Sequence, residues 1–146
     1  MRSIMGDIRD MSAVHQVLQD AQPEIVIHMA AQSLVRYLYQ NPVETYAANV
    51  PGAVHLIEAA RKSKGIKAVV NITIDKCYEN REWVRGIVKA NLWADYDPHS
   101  NSKGCAELVS SGYRLSYFLI EPNMPSMVSL WQRLGRVMLS VAGLDV

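Results

Sequence analysis

An α/β fold built on a parallel sheet is predicted by three features of this 146-residue chain. Two short runs, Glu24–Ala31 and Ala68–Thr73, are rich in β-branched residues and apolar at successive positions, as strands buried on both faces are. Stretches with helical periodicity precede and separate them. Helix, strand, helix, strand in that order is how parallel sheets with crossover helices are written.

The elements follow one another with clear punctuation. A first helix is expected from Asp10 to Asp20, with Met11, Val14, Val17 and Leu18 on one face and Pro23 closing it. The first strand then ends in small residues, Ala30 and Ala31. A second helix opens at Asn41, with Pro42 at its first position and Glu44 where a capping box places a carboxylate. Its apolar face runs through Val43, Tyr46, Ala47, Val50, Val54 and Ile57, so that Pro51 falls inside it at a cost of roughly 3 kcal/mol. Lys62, Lys64 and Gly65 supply a basic last turn and a left-handed stop before the second strand.

Composition narrows the partners. About half the residues are apolar and 15 basic residues nearly balance 14 acidic ones, which suits one domain with a small-molecule ligand and points away from nucleic acid and from an anionic membrane. The two cysteines, Cys77 and Cys105, lack metal-ligand spacing, and no metal is expected. Without a leader or a long apolar span in the sequence, a reducing cytoplasmic location is expected.

Ligands of such folds sit beyond the carboxyl ends of the strands. After the first strand come His28, Ala30, Ala31 and Gln32, where small side chains let a flat or phosphorylated ligand approach the backbone. After the second come Thr73, Asp75 and Lys76. A third helix opens at Asp97-Pro98 and carries His99 and Lys103 four residues apart.

This order resembles the extended short-chain dehydrogenase/reductase family, in which a strand ending in His-x-Ala-Ala is followed by a helix, a strand ending in Ser/Thr and Asp, and Tyr-x-x-x-Lys. The resemblance runs through GDIRD, PEIVIHMAAQSLVR, NPVETYAANV, IKAVVNIT, DKCYENREW and DPHSNSKGCAELV. Asp75-Lys76, where sister dehydratases carry Asp-Glu, and the Asn-Arg-Glu-Trp that follows draw it toward the members acting on CDP-glucose. It implies a partial Rossmann-like, doubly wound parallel sheet, without the N-terminal strands and the C-terminal substrate domain. It also implies a lyase that uses NAD without consuming it and yields a 4-keto-6-deoxy sugar. On that mapping Asp7 and Ile8 meet the adenine, Ala30, Ala31 and Gln32 line the dinucleotide path, and Lys103 binds the nicotinamide ribose. Asp75 protonates the departing C6 hydroxyl, Lys76 neighbours C5, and the family's members are usually homodimers. Another nucleotide-sugar epimerase or reductase, and a remnant without catalysis, are the competing readings.

The departures are as informative as the matches. His99 stands where the family has its catalytic Tyr, and Ile74 where it has a hydroxyl residue. The glycine-rich turn that would hold a pyrophosphate does not occur in the sequence. Residues 1–118 are therefore expected to form a partial NAD-binding domain and 119–146 an aberrant tail. Ile87 to Asp95 can be written in codons that, shifted by one base, read Tyr-Arg-Glu-Ser-Glu-Pro-Leu-Gly-Gly, very like the family's segment here. The same shift from Leu119 to Gly143 permits the family's next strand and loop. The competing expectation for the tail is an amphipathic helix through Met127, Leu130, Leu134 and Met138.

Sequencing the gene with its flanks is the corresponding test. The shifted-frame hypothesis expects codons compatible with both readings, an upstream glycine-rich segment, and a Tyr codon at position 99 once the gene is read correctly; incompatible codons refute it.

Overall fold

The computed structural model describes residues 3–73, 97–120, 124–133 and 136–139. Its elements, in order, are α1 (Met11–Ala21), β1 (Ile25–His28), α2 (Val35–Gln40), α3 (Pro42–Asn49), α4 (Pro51–Lys62), β2 (Ala68–Ile72), α5 (Pro98–Tyr113), a π-helical turn (Arg114–Phe118), β3 (Ser126–Arg133) and β4 (Arg136–Leu139). The sheet order is β1-β2-β3-β4. β1, β2 and β3 are parallel, with Val26 beside Val69 and Val69 beside Met127, while β4 returns antiparallel to β3.

The first helix begins one residue after Asp10, which caps it. Asp10 Oδ1 accepts the N–H groups of Ser12 and Ala13 at 3.0 and 3.1 Å, satisfying two donors the helix cannot use internally. At the other end Gln22 adopts φ 44°, a left-handed conformation, and donates its N–H to Leu18 O. Leu18 then joins Val26, Ile57, Ala59, Ala60, Ile66, Val69, Phe118 and Met127 in the core.

Three expectations are corrected. The first strand is not buried on both faces, because α1, α4 and the end of α5 all pack on the side of Val26 and Val69. Ile25 and Ile27, pointing the other way, are each 59% exposed, and the second helical layer of a doubly wound sheet is not among the described residues.

The single helix expected from Asn41 is two helices, α3 and α4, joined at Val50. Pro51 is the first residue of α4, where its missing N–H would have been unpaired in any case, so the interior penalty does not arise. Nor does Asn41 cap with its side chain; its carbonyl accepts from Thr45, and Glu44 instead accepts from the Tyr37 hydroxyl. The short helix α2 had no sequence signal.

Finally, the tail forms strands and not an amphipathic helix, so the sheet has more than two strands. Met127 is buried beside Val69, and Ser126 N–H donates to Lys67 O at 2.8 Å, so residues 126–133 extend the ladder begun by β1 and β2. Pairing along a whole strand outweighs a helical pattern of apolar residues, whose own stability comes mostly from packing.

The placement of Pro51 is open to measurement. Pro51→Ala should change unfolding free energy by less than about 1 kcal/mol in urea titrations, whereas relief of an interior proline would add about 3 kcal/mol.

Candidate functional site

Beyond the carboxyl end of β1 lies a groove of about 350 Å³ lined by Gly6, Asp7, Ile8, Ala30, Ala31, Gln32 and Ala48. The residues expected on the dinucleotide path thus share one wall with the segment expected to meet an adenine. Alanines on that wall leave the backbone open to a flat ligand. The Asp7 carboxylate is gripped by Arg9, whose backbone N–H and guanidinium both donate to it, and these bonds hold its pKa down at about 2. Gly52 of α4 sets how close this segment comes: a Cβ there would lie 2.8 Å from Ile8 Cγ2. His55 Nδ1 meets Ile8 O at 3.3 Å on the same side.

Opposite the alanines stands the start of α5. Asp97 caps it, its Oδ1 accepting from His99 N–H at 2.9 Å and Ser100 N–H at 3.0 Å, while Ser100 Oγ donates to Oδ2 at 2.6 Å. This cap holds His99 over the groove wall, with Nδ1 3.3 Å from Gln32 O. A carbonyl only accepts, so that contact places the ring proton on Nδ1 and leaves Nε2 with the free lone pair.

Asn49 organises the junction. Its Oδ1 accepts from Gln32 N–H at 2.7 Å and its Nδ2 donates to Gln32 O and to Ser102 Oγ, tying the turn after β1 to α5. One turn further along α5, Lys103 is only 6% exposed and its Nζ donates to Ile72 O at 3.1 Å. Burial lowers its pKa. Thr73 Oγ1 donates to Glu107 Oε1 at 2.5 Å, and Asn71 Nδ2 to Ser110 Oγ at 2.7 Å, so residues 71–73, at and just beyond the end of β2, each hold a turn of α5.

Seven of the expected site residues therefore fall into two adjoining groups: Asp7, Ile8, Ala30, Ala31 and Gln32 around the groove, His99 and Lys103 on α5. Asp75, Lys76, Ile74 and Cys77 lie outside the described residues. Sequence reasoning missed Gly52, Asn49 and Glu107. Asn49 and Glu107 left no signal, since only their burial in the fold shows that each lies on a helix face that turns inward. Among the described residues no group of three metal-ligating side chains occurs, and no helix is long and apolar enough to cross a membrane.

Comparisons with known proteins agree with the fold and show the family. The family model described as GDP-mannose 4,6 dehydratase matches residues 1–123. CDP-glucose 4,6-dehydratase of Salmonella typhimurium is 56% identical over 118 residues, which are 81% of this chain and 33% of that protein. The chain thus spans about a third of the length of that curated relative. Among solved structures, a dTDP-glucose 4,6-dehydratase from Streptomyces venezuelae with NAD and TYD bound aligns with TM-score 0.70 and 25% identity, covering 80% of this chain and 35% of that one. A UDP-glucose 4-epimerase from Brucella ovis in complex with NAD aligns with TM-score 0.73 and 23% identity over 88% of this chain and 37% of that one, a likeness of fold.

One titration reports on the buried end of the site. His28, at the end of β1, has its pKa lowered from 6.5 to about 4, by burial first and by the Lys103 ammonium second. The unfolded chain therefore binds the extra proton between pH 6.5 and 4 while the native one does not. Stability from the neutral ring is complete above pH 6.5 and is lost as pH falls to 4, by up to about 3 kcal/mol. Urea titrations across that range should show the loss, and His28→Gln should abolish most of it. Glu58, whose pKa is lowered to about 2 by Arg61, adds its own loss only at more acid pH.

Proposed function

The chain belongs to the GDP-mannose 4,6-dehydratase family, and on that premise we propose that it is part of a CDP-glucose 4,6-dehydratase, a lyase acting on a nucleotide sugar with NAD. The observation that carries this reading is the groove, lined by Asp7 and Ile8 together with Ala30, Ala31 and Gln32, with His99 of α5 held on Gln32 O and Lys103 one turn further along at the end of β2. The 56% identity to the Salmonella protein supports the choice of sugar nucleotide.

The residues present suit a dinucleotide. Alanine walls admit a ring against the backbone, Asp7 places an ionised acceptor at the rim, and Lys103 keeps two ammonium protons beyond the one given to Ile72 O. Asp7 and Ile8 would hold the adenine, Ala30, Ala31 and Gln32 the path beyond it, and Lys103 the nicotinamide ribose. When bound, NAD would supply the reversible hydride chemistry that oxidation at C4 and reduction at C6 of the sugar require. Of the chain's own groups, His99 Nε2 is the one at the position of the family's base and would accept the proton of the C4 hydroxyl. Asp75 would protonate the leaving C6 hydroxyl and Lys76 would stand near C5. The whole enzyme would be cytoplasmic and homodimeric, and residues 119–146 would be the tail of a shifted frame.

A second reading, a remnant without catalysis, is favoured by a specific contact. The imidazole at position 99 is turned onto Gln32 O, and it is shorter than the phenol of the family's pattern. Loss of that phenol together with the hydroxyl at position 74 removes two groups that act as a unit. Another nucleotide-sugar epimerase or reductase of the same family, acting on a UDP- or GDP-sugar, is the third.

Backbone NMR of the labelled chain titrated with NAD separates these. The proposal expects saturable shifts at the Ala30, Ala31 and Gln32 amides, at least tenfold weaker binding, about 1.4 kcal/mol, in Ala31→Phe, and little or no turnover of CDP-glucose by this chain alone. No shift at saturating NAD supports the remnant. Turnover of a UDP-sugar in preference to CDP-glucose supports the epimerase or reductase.

A further inference from the structure

Three buried polar groups meet where β1, β2 and α5 converge, and their hydrogen-bonding valences do not close. His28 ends β1 and pairs in register with Asn71 of β2, so both side chains leave the same face of the sheet from strands about 5 Å apart. His28 is 3% exposed and Asn71 1%. Lys103 enters the same junction from α5.

Asn71 spends its Nδ2 on Ser110, but its Oδ1 is, among the described residues, the buried side-chain polar atom without a partner. The His28 ring makes no hydrogen bond among the described residues. Lys103 commits one ammonium proton of three to Ile72 O. Buried acceptors in native proteins are paired with protein or with ordered water, and a buried water makes about three such bonds.

We propose that His28 and Asn71 hold one ordered water against the Lys103 ammonium, which makes His28 a positioning residue for that amine. The water donates to Asn71 Oδ1, accepts from Lys103 Nζ, and shares its remaining bond with a His28 ring nitrogen. The imidazole suits the place because it stays uncharged near neutral pH and so adds no repulsion to the ammonium beside it. The other groups that face the junction are Thr73, from β2, and Glu107, from α5, and they are already bonded to each other. Lys103 is thereby fixed from two sides, by a main-chain carbonyl and by the water, and its remaining proton is left for a ligand. The functional meaning rests on the reading of Lys103 as the amine that holds a ribose.

Two measurements on the full chain test this, and neither needs NAD or turnover. A crystal structure at 1.5 Å or better should show a water within hydrogen-bond distance of both Asn71 Oδ1 and a His28 ring nitrogen; a direct His28–Asn71 bond, or a dry gap, overturns the proposal. Side-chain NMR of ¹⁵N-lysine should show the Lys103 titration midpoint unchanged within a few tenths in His28→Gln, which can still hold the water. In His28→Leu, which cannot, the ammonium loses a partner and the midpoint should fall by about one unit. An unchanged midpoint in His28→Leu reduces His28 to packing and also overturns the proposal. If His28→Leu does not fold, the crystal structure still decides. Failure of NAD to shift the groove amides, with the water present, would sink the cofactor reading alone.

Discussion

The donation from Lys103 Nζ to Ile72 O is the contact on which the arrangement of the site depends. An ammonium removed from water must find acceptors, and the carboxyl end of a strand offers a carbonyl. Meeting that need fixes α5 against β2 in rotation and in height. Once Lys103 is fixed, Glu107 and Ser110 on the following turns fall opposite Thr73 and Asn71, and their hydrogen bonds close the seam. Because a buried polar pair is worth little when made and costs much when broken, such a seam selects one register of helix on sheet more sharply than apolar contacts do.

Asn49 carries the same constraint from α5 to the turn after β1. By bonding both backbone groups of Gln32 and the Ser102 hydroxyl, it sets the distance between the alanine wall and the helix that bears His99. The two halves of the site are therefore positioned by one amide on α3. The break between α3 and α4 at Val50–Pro51 follows from this geometry, since it lets Asn49 face α5 while Gly52, three residues later, lies against Ile8.

What the sequence made legible was whatever depends on local chemistry. The apolar runs gave both strands, Asp97-Pro98 gave the cap of α5, and the small residues after β1 gave the groove. Less legible was whatever depends on a distant partner. Pro51 looks like an interior defect until the chain is seen to break one residue before it. Ile25 and Ile27 look like core until the helices are found on the opposite face. Asn49 and Glu107 read as ordinary helix surface, because only the tertiary fold shows which way they point.

The tail shows why fold and site need not stand or fall together. A strand joins a parallel sheet through its main chain, and asks of its side chains only that those facing the core be apolar. Met127 beside Val69 meets that demand, so residues 126–133 can extend the sheet whatever frame their codons once had. A catalytic site makes the stricter demand, because a proton is moved by a given atom at a given reach. The departures at 74 and 99 both fall on side chains whose family role is chemical, while Asn49, Lys103 and Glu107 keep the hydrogen bonds that join α3 and the end of β2 to α5. A chain changed in this way retains the scaffold of its family and places a different group, an imidazole held by Gln32, where the chemistry would occur.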